Sequence, residues 1–133
     1  MRRDWTFEGY REAFRQVLLR LRAAAPTAAL LVIGPPDSAR RVNRKWTPDP
    51  NLDMILRAQR EASLHAGAAF WNLRAGMGGK GSMQQWVRAG LAQGDFVHLT
   101  GAGYRLLGES LYALAAGIIG NEIGASLDAK DRQ

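Results

Sequence analysis

The sequence predicts an α/β fold, part of a three-layer α/β/α domain with a parallel sheet between helical layers. Two short, continuously apolar runs, Ala28 to Ile33 (AALLVI) and Ala68 to Leu73 (AAFWNL), read as strands buried on both faces. Between them lies a segment with helical apolar spacing, as a crossover between parallel neighbours requires. Amphipathic segments before the first run and after the second supply the covering layers, giving the order α-β-α-β-α-α. Two strands alone do not make a stable doubly wound sheet, so N-terminal strands are expected to be missing from this chain.

Each element has its own signals. Phe7, Tyr10, Phe14, Val17, Leu18 and Leu21 repeat at helical spacing, with Glu8, Arg11, Glu12 and Arg15 opposite, and Ala25-Pro26 ends the helix. The 16 residues from Gly34 to Asp49 read as a long functional or disordered connection. Asp49-Pro50 reads as an N-cap followed by proline at the first helical position, and Gly67 as the stop; Leu52, Ile55, Ala58 and Ala62 form the stripe between. Ser82 and Gln85 have the spacing of a capping box for a short helix with Trp86 and Val87. Thr100 precedes a last helix with Tyr104, Leu107, Leu111, Leu114 and Ile118 on one face, expected to fade at Gly120. Residues 1–120 then form the domain, and the polar residues 121–133 a frayed tail.

Bulk composition narrows the function. A chain of 133 residues accommodates one domain with one core, and 47% hydrophobic with 23% charged residues is ordinary for a globular protein. The absence of cysteine excludes disulfides, thiolate nucleophiles and cysteine-ligated zinc. Two histidines, His65 and His98, leave little room for a His-rich metal site, and neither metal nor cofactor is expected. The longest apolar run, Ala23 to Gly34, is interrupted by Pro26 and Thr27 and is too short to span a membrane. Met1-Arg2-Arg3-Asp4 does not open a signal peptide, and the compartment stays open. Of the 18 basic residues behind the net charge of +6, 15 are arginine. Arg11, Arg15, Arg22, Arg57, Arg60, Arg88 and Arg105 are dispersed over helix faces, which reads as a solvated surface; nucleic acid is not an expected partner.

The strongest chemical signal is Asp95 with His98, in Gly94-Asp95-Phe96-Val97-His98-Leu99-Thr100. A carboxylate three residues before an imidazole, ahead of a helix, is half of an acid–base apparatus or a turn that caps the helix. In the first role the Asp holds one ring nitrogen and leaves the other free to take a proton from a nucleophile. No serine sits in a Gly-x-Ser-x-Gly elbow. Ser63 and Ser110 fall within helices, Ser126 in the tail, and Ser82 reads as a cap, so Ser38 after the first strand is the least poor candidate and is not favoured. His65 reads as a surface group at a helix end. Gly78-Gly79-Lys80-Gly81-Ser82 misses the Walker spacing and reads as a flexible loop bordering a cleft. Arg40, Arg41, Arg44 and Lys45 with Trp46 form a small basic cluster, suited to an anionic polymer or to an acidic or glycan substrate, while Trp46 alone could pack over the sheet edge.

Taken in order, Leu31-Val32-Ile33-Gly34-Pro35-Pro36-Asp37, Phe70-Trp71-Asn72-Leu73, Met77-Gly78-Gly79-Lys80-Gly81-Ser82-Met83 and the run from Asp95 to Tyr104 resemble the C-terminal half of an SGNH (GDSL-type) esterase, from about Trp5 to Leu114. The variant with Trp46, the MGG segment and HLTxxGY is most similar to bacterial extracytoplasmic esterases that remove acetyl groups from cell-wall glycans. The resemblance implies a flavodoxin-like fold, serine carboxylic-ester hydrolysis, a small-molecule or glycan ester substrate, and His98 as general base oriented by Asp95. It also implies a Gly-Asp-Ser block, a further Gly and a Gly-x-Asn block that supply nucleophile and oxyanion hole. None is present; Asn43, Asn51, Asn72 and Asn121 lie in no Gly-x-Asn, and Met1 falls just after the expected place of that block. The chain alone is therefore expected to be inactive. Helices left without the missing strands beneath them predict exposed apolar surface and, with it, self-association or instability. The competing reading is a non-catalytic remnant or module that binds anionic polymers through residues 40–46.

Overall fold

The computed structural model describes residues 5–130, with side chains as far as residue 117. Helix α1 (Phe7–Ala24) begins at Thr6, whose hydroxyl accepts the Gly9 N–H at 3.1 Å, and stops before Pro26 as its sequence requires. Strand β1 (Leu31–Ile33) follows. Helix α2 (Leu52–His65) then crosses to β4 (Ala69–Trp71), which pairs with β1 in parallel: Leu31 opposite Ala69, Val32 opposite Phe70, Ile33 opposite Trp71. The parallel pairing and the helical crossover are those the sequence predicts.

Alternation along the strands places the layers. Val32 packs on the cluster of Leu18, Ala62 and Ala66 between α1 and α2, with Phe14 beside it. Trp71 turns the other way, onto the cluster of Met77, Met83, Trp86, Ala92, Leu99 and Leu107. Burying one leucine such as Leu18 contributes roughly 2 kcal/mol, so these two clusters hold the helices against the sheet. Arg11 to Glu61 at 3.1 Å and Gln59 to the Tyr10 hydroxyl at 2.9 Å close the α1–α2 seam at its margin.

Several elements differ from expectation. The strands are shorter than the apolar runs, and Leu31 and Ile33 are half exposed rather than buried, because β1 has a strand neighbour on one side only. The segment from Gly34 to Asp49 is not an open loop. It contains an antiparallel hairpin, β2 (Ala39–Val42) and β3 (Lys45–Pro48), turning at Asn43 and Arg44 with φ of 48° and 64°, the two positive values of a two-residue hairpin turn. Asp49 Oδ1 accepts the Asn51 N–H at 2.9 Å, one step ahead of α2, and Gly67 ends that helix with φ of 67°.

Asn72 then caps an unanticipated single turn, α3 (Leu73–Gly76), accepting the Ala75 N–H at 3.0 Å. Helix α4 (Met83–Arg88) has no Ser82–Gln85 capping box; the Ser82 hydroxyl is buried without a hydrogen-bond partner. Its first N–H, that of Met83, is served from a distance, by Asp37. The last helix, α5 (Gly101–Lys130), runs past Gly120. The expected tail at 121–133 is thus helical to Lys130, its last three residues lying outside the described part. The apolar face proposed for α5 is buried only in part: Leu107 is buried and Leu111 half-buried, Tyr104 and Leu114 are more than half exposed, and the side chain of Ile118 lies outside those described.

Candidate active site

The link between α4 and α5 folds back on itself and closes a small loop. Gln93 N–H donates to the His98 carbonyl at 2.8 Å and Thr100 N–H to the Leu91 carbonyl at 3.0 Å, around a bridge between Ala92 and Leu99. Thr100 caps α5 through Gly103 N–H at 3.3 Å, while its own hydroxyl donates to the Gly90 carbonyl at 2.8 Å. Gly103 lets the helix start approach this neck, because a Cβ there would strike the Leu91 carbonyl oxygen. Asp95 and His98 project from the loop so anchored.

Within the loop both oxygens of Asp95 accept hydrogen bonds. Its Oδ1 accepts the N–H groups of Val97 and His98, both at 3.0 Å, and its Oδ2 lies 2.6 Å from His98 Nδ1. The imidazole hydrogen bond first, then the His98 and Val97 N–H groups, holds the Asp95 pKa down at about 2. An ionised Asp95 is an acceptor only, so Nδ1 carries the proton in the neutral ring and Nε2 keeps its lone pair. Side-chain exposures of 65% for His98 and 45% for Asp95 leave that lone pair open to a reacting group.

The turn is held at a cost. Phe96 sits at φ of 60°, a left-handed conformation that penalises a residue with a Cβ by about 1 kcal/mol or more. The hairpin meets it twice: the Phe96 carbonyl accepts the Ala39 N–H at 3.0 Å, and the Phe96 ring stacks on Trp46 with centroids 4.1 Å apart and planes 18° from parallel. Trp46 therefore covers the Asp95–His98 turn rather than the sheet edge. Arg40, Arg41, Arg44 and Lys45 are exposed along the same hairpin. None of the four makes an ion pair with a described residue.

A second polar cluster lies beneath the first. Asp37, fully buried, accepts Arg74 Nε at 2.8 Å on one oxygen and the Met83 N–H at 3.0 Å on the other, so it caps α4 and pairs the buried guanidinium at once. Asp53 bridges Arg74 to Lys80, whose ammonium is 2.7 Å away; Lys80 and then Arg74 lower its pKa. Those contacts, with Gly79 N–H on the Arg74 carbonyl at 2.9 Å, fix the glycine-rich segment that the sequence reads as flexible. The joint role of Asp37 was not foreseen; only its place after Pro35-Pro36 at the end of β1 marked it.

No described serine side chain hydrogen-bonds Asp95 or the His98 ring. Ser63 is buried with its hydroxyl on the Gln59 carbonyl, and Ser110 bonds the Leu106 carbonyl. Ser38 lies in the lead-in to the hairpin, its carbonyl accepting the Asp49 N–H, and the side chain of Ser126 falls outside those described. His65 Nδ1 is 2.8 Å from the Glu61 carbonyl at the end of α2. Among the described residues no group of three or more His, Asp and Glu is placed to hold a metal ion, and no helix is long and apolar enough to cross a membrane.

No protein-family model and no curated protein sequence matches the chain. Solved structures do. A peptidoglycan O-acetylesterase superposes with a TM-score of 0.82 at 25% identity, over 90% of this chain and 34% of that one. The esterase domain of the ORF1 protein from the zebrafish ZfL2-1 retrotransposon superposes with a TM-score of 0.56 at 21% identity, over 87% of this chain and 65% of that one, a likeness of fold alone. The chain thus spans about a third of the first neighbour and about two thirds of the second. With a parallel sheet, a helical crossover and helices on both faces, these residues have the fold of an SGNH-type esterase over part of its length.

Proposed function

We propose that the chain is the acid–base-bearing portion of a serine carboxylic-ester hydrolase of the SGNH/GDSL type, and that the complete catalytic domain removes O-acetyl groups from a polysaccharide. The observation that carries this is the 2.6 Å contact between His98 Nδ1 and Asp95 Oδ2 in an exposed turn. His98 Nε2 takes the proton of a serine hydroxyl as its oxygen attacks the ester carbonyl. The ring, then doubly protonated beside the Asp95 carboxylate, returns that proton to the departing alcohol, and water hydrolyses the acyl-enzyme by the same route. The serine and the oxyanion donors come from a segment outside these 133 residues. The acetyl–glycan choice rests on the likeness to a peptidoglycan O-acetylesterase.

The purified chain should not turn over p-nitrophenyl acetate. Added back to a segment bearing Gly-Asp-Ser and Gly-x-Asn blocks, it should do so, and His98→Ala should abolish the rate. Robust turnover by the chain alone, lost in His98→Ala, would refute its inactivity; restored turnover that ignores His98→Ala would remove the acid–base reading.

One observation favours a second reading, a module for anionic polymers: the four exposed cations of the hairpin, which make no ion pair among the described residues. Binding of RNA, DNA or acidic glycan that weakens with salt and is lost in an Arg40/Arg41/Arg44 triple-alanine variant, with Asp95→Ala silent, would favour it.

A further inference from the structure

We propose that Trp46 is a positioning residue for the Asp95–His98 pair, acting through its stack on Phe96. The inference rests on the acid–base reading of that pair. It comes from three features of one small region. Among the described residues Phe96 is the non-glycine residue with positive φ outside the tip of the β2–β3 hairpin, and its side chain has no polar group to offset that conformation. Beside the Gln93 carbonyl that accepts the Phe96 N–H at 3.1 Å and the core cluster its ring packs against, two groups that hold it belong to the hairpin, the Ala39 N–H on its carbonyl and the Trp46 ring on its own. And Phe96 stands between Asp95 and the Val97 and His98 N–H groups that Asp95 Oδ1 accepts. Rotation of Phe96 back toward negative φ carries both N–H groups, and the imidazole with them, away from the carboxylate.

The hairpin is able to resist that rotation. Its Trp46 carbonyl accepts Gln84 Nε2 of α4 at 3.2 Å, Thr47 Oγ1 donates to the Arg40 carbonyl at 3.2 Å, and buried Ala39 seals its base. Trp46 transmits this rigidity to the turn while making no hydrogen bond to Asp95 or to the His98 ring. Loss of the stack should therefore loosen the pair without removing either of its members.

The test is an NMR titration of the 133-residue chain, reading the Asp95 carboxyl carbon and the low-field His98 Nδ1 proton. In the unaltered chain Asp95 should titrate near 2. Trp46→Ala and Phe96→Gly should move that midpoint up toward the ordinary value of about 3.9 and broaden the ring-proton signal, and Trp46→Phe should restore both. Glycine populates positive and negative φ alike, so Phe96→Gly removes the stack from its other side and leaves the turn free to rotate, and it carries the test if Trp46→Ala does not fold. Folded variants with an unmoved Asp95 midpoint and an unchanged ring proton overturn the proposal, leaving Trp46 as packing only. Unfolding of both variants overturns it equally, since the role is then structural. An ordinary Asp95 midpoint in the unaltered chain overturns the pair itself, and the proposal with it.

Discussion

Asp37 and Asp95 are each held by a cationic or potentially cationic side chain and by backbone N–H groups, yet they sit in opposite surroundings. Asp37 is fully buried, pairs with Arg74 and caps α4. Asp95 is half exposed, pairs with His98 and caps only its own turn. The permanently charged guanidinium locks the first carboxylate into the fold. The imidazole, whose second ring nitrogen keeps an exposed lone pair, leaves the second able to do chemistry. Burial and the partner's chemistry, rather than the number of hydrogen bonds, separate an anchor from a candidate catalytic group.

That contrast predicts a graded set of effects. Asp37→Ala should be the most damaging, because it takes from buried Arg74 its one fully buried carboxylate partner, leaving only the exposed Asp53, and removes the cap of α4; a loss of about 3–5 kcal/mol in urea unfolding is expected. Adding Arg74→Met should recover part of that loss. A double variant no more stable than Asp37→Ala would show that the ion pair is not the anchor. Gly103→Ala should cost about 1–3 kcal/mol by forcing a methyl group onto the Leu91 carbonyl, and should disturb the neck that carries the pair.

Asp95→Asn should act more weakly and with pH. The folded-state pKa of Asp95 lies below its unfolded value, so its contribution is present above the unfolded pKa and disappears as pH falls through about 2. The stability gap between the unaltered chain and Asp95→Asn should accordingly close between about pH 4 and pH 2; a gap independent of pH across that window would separate Asp95 from the ion pair proposed for it. The smallest effect is expected for Ser82→Ala. A capping serine would lose about 1 kcal/mol, but the Ser82 hydroxyl has no partner and Asp37 performs the capping, so its denaturation midpoint should barely move.

Residues close in sequence announced themselves, and residues joined across the fold did not. Asp95 and His98 are three positions apart and belong to one turn, so their pairing is a local matter that the spacing exposes. Thr100, Pro26 and Gly67 mark helix ends for the same reason. The Ser82–Gln85 spacing misled because Asp37, 46 positions away, reaches the Met83 N–H that a cap must satisfy. The hairpin escaped notice because its turn is Asn-Arg, which lacks the glycine that usually signals positive φ. Trp46 and Phe96 carry no mark of their meeting at all.

The sequence by itself determined the alternating helix and strand pattern, the parallel pairing that a helical crossover imposes, and the Asp95–His98 turn, because apolar period, capping chemistry and short-range hydrogen bonding act between near neighbours. Only the tertiary structure decided which carboxylate is an anchor, which strand faces stay open, and which side chains brace the turn. Those outcomes depend on groups brought together from distant positions, where burial raises the cost of an unpaired charge and lets a stack or a single N–H hold a strained residue in place.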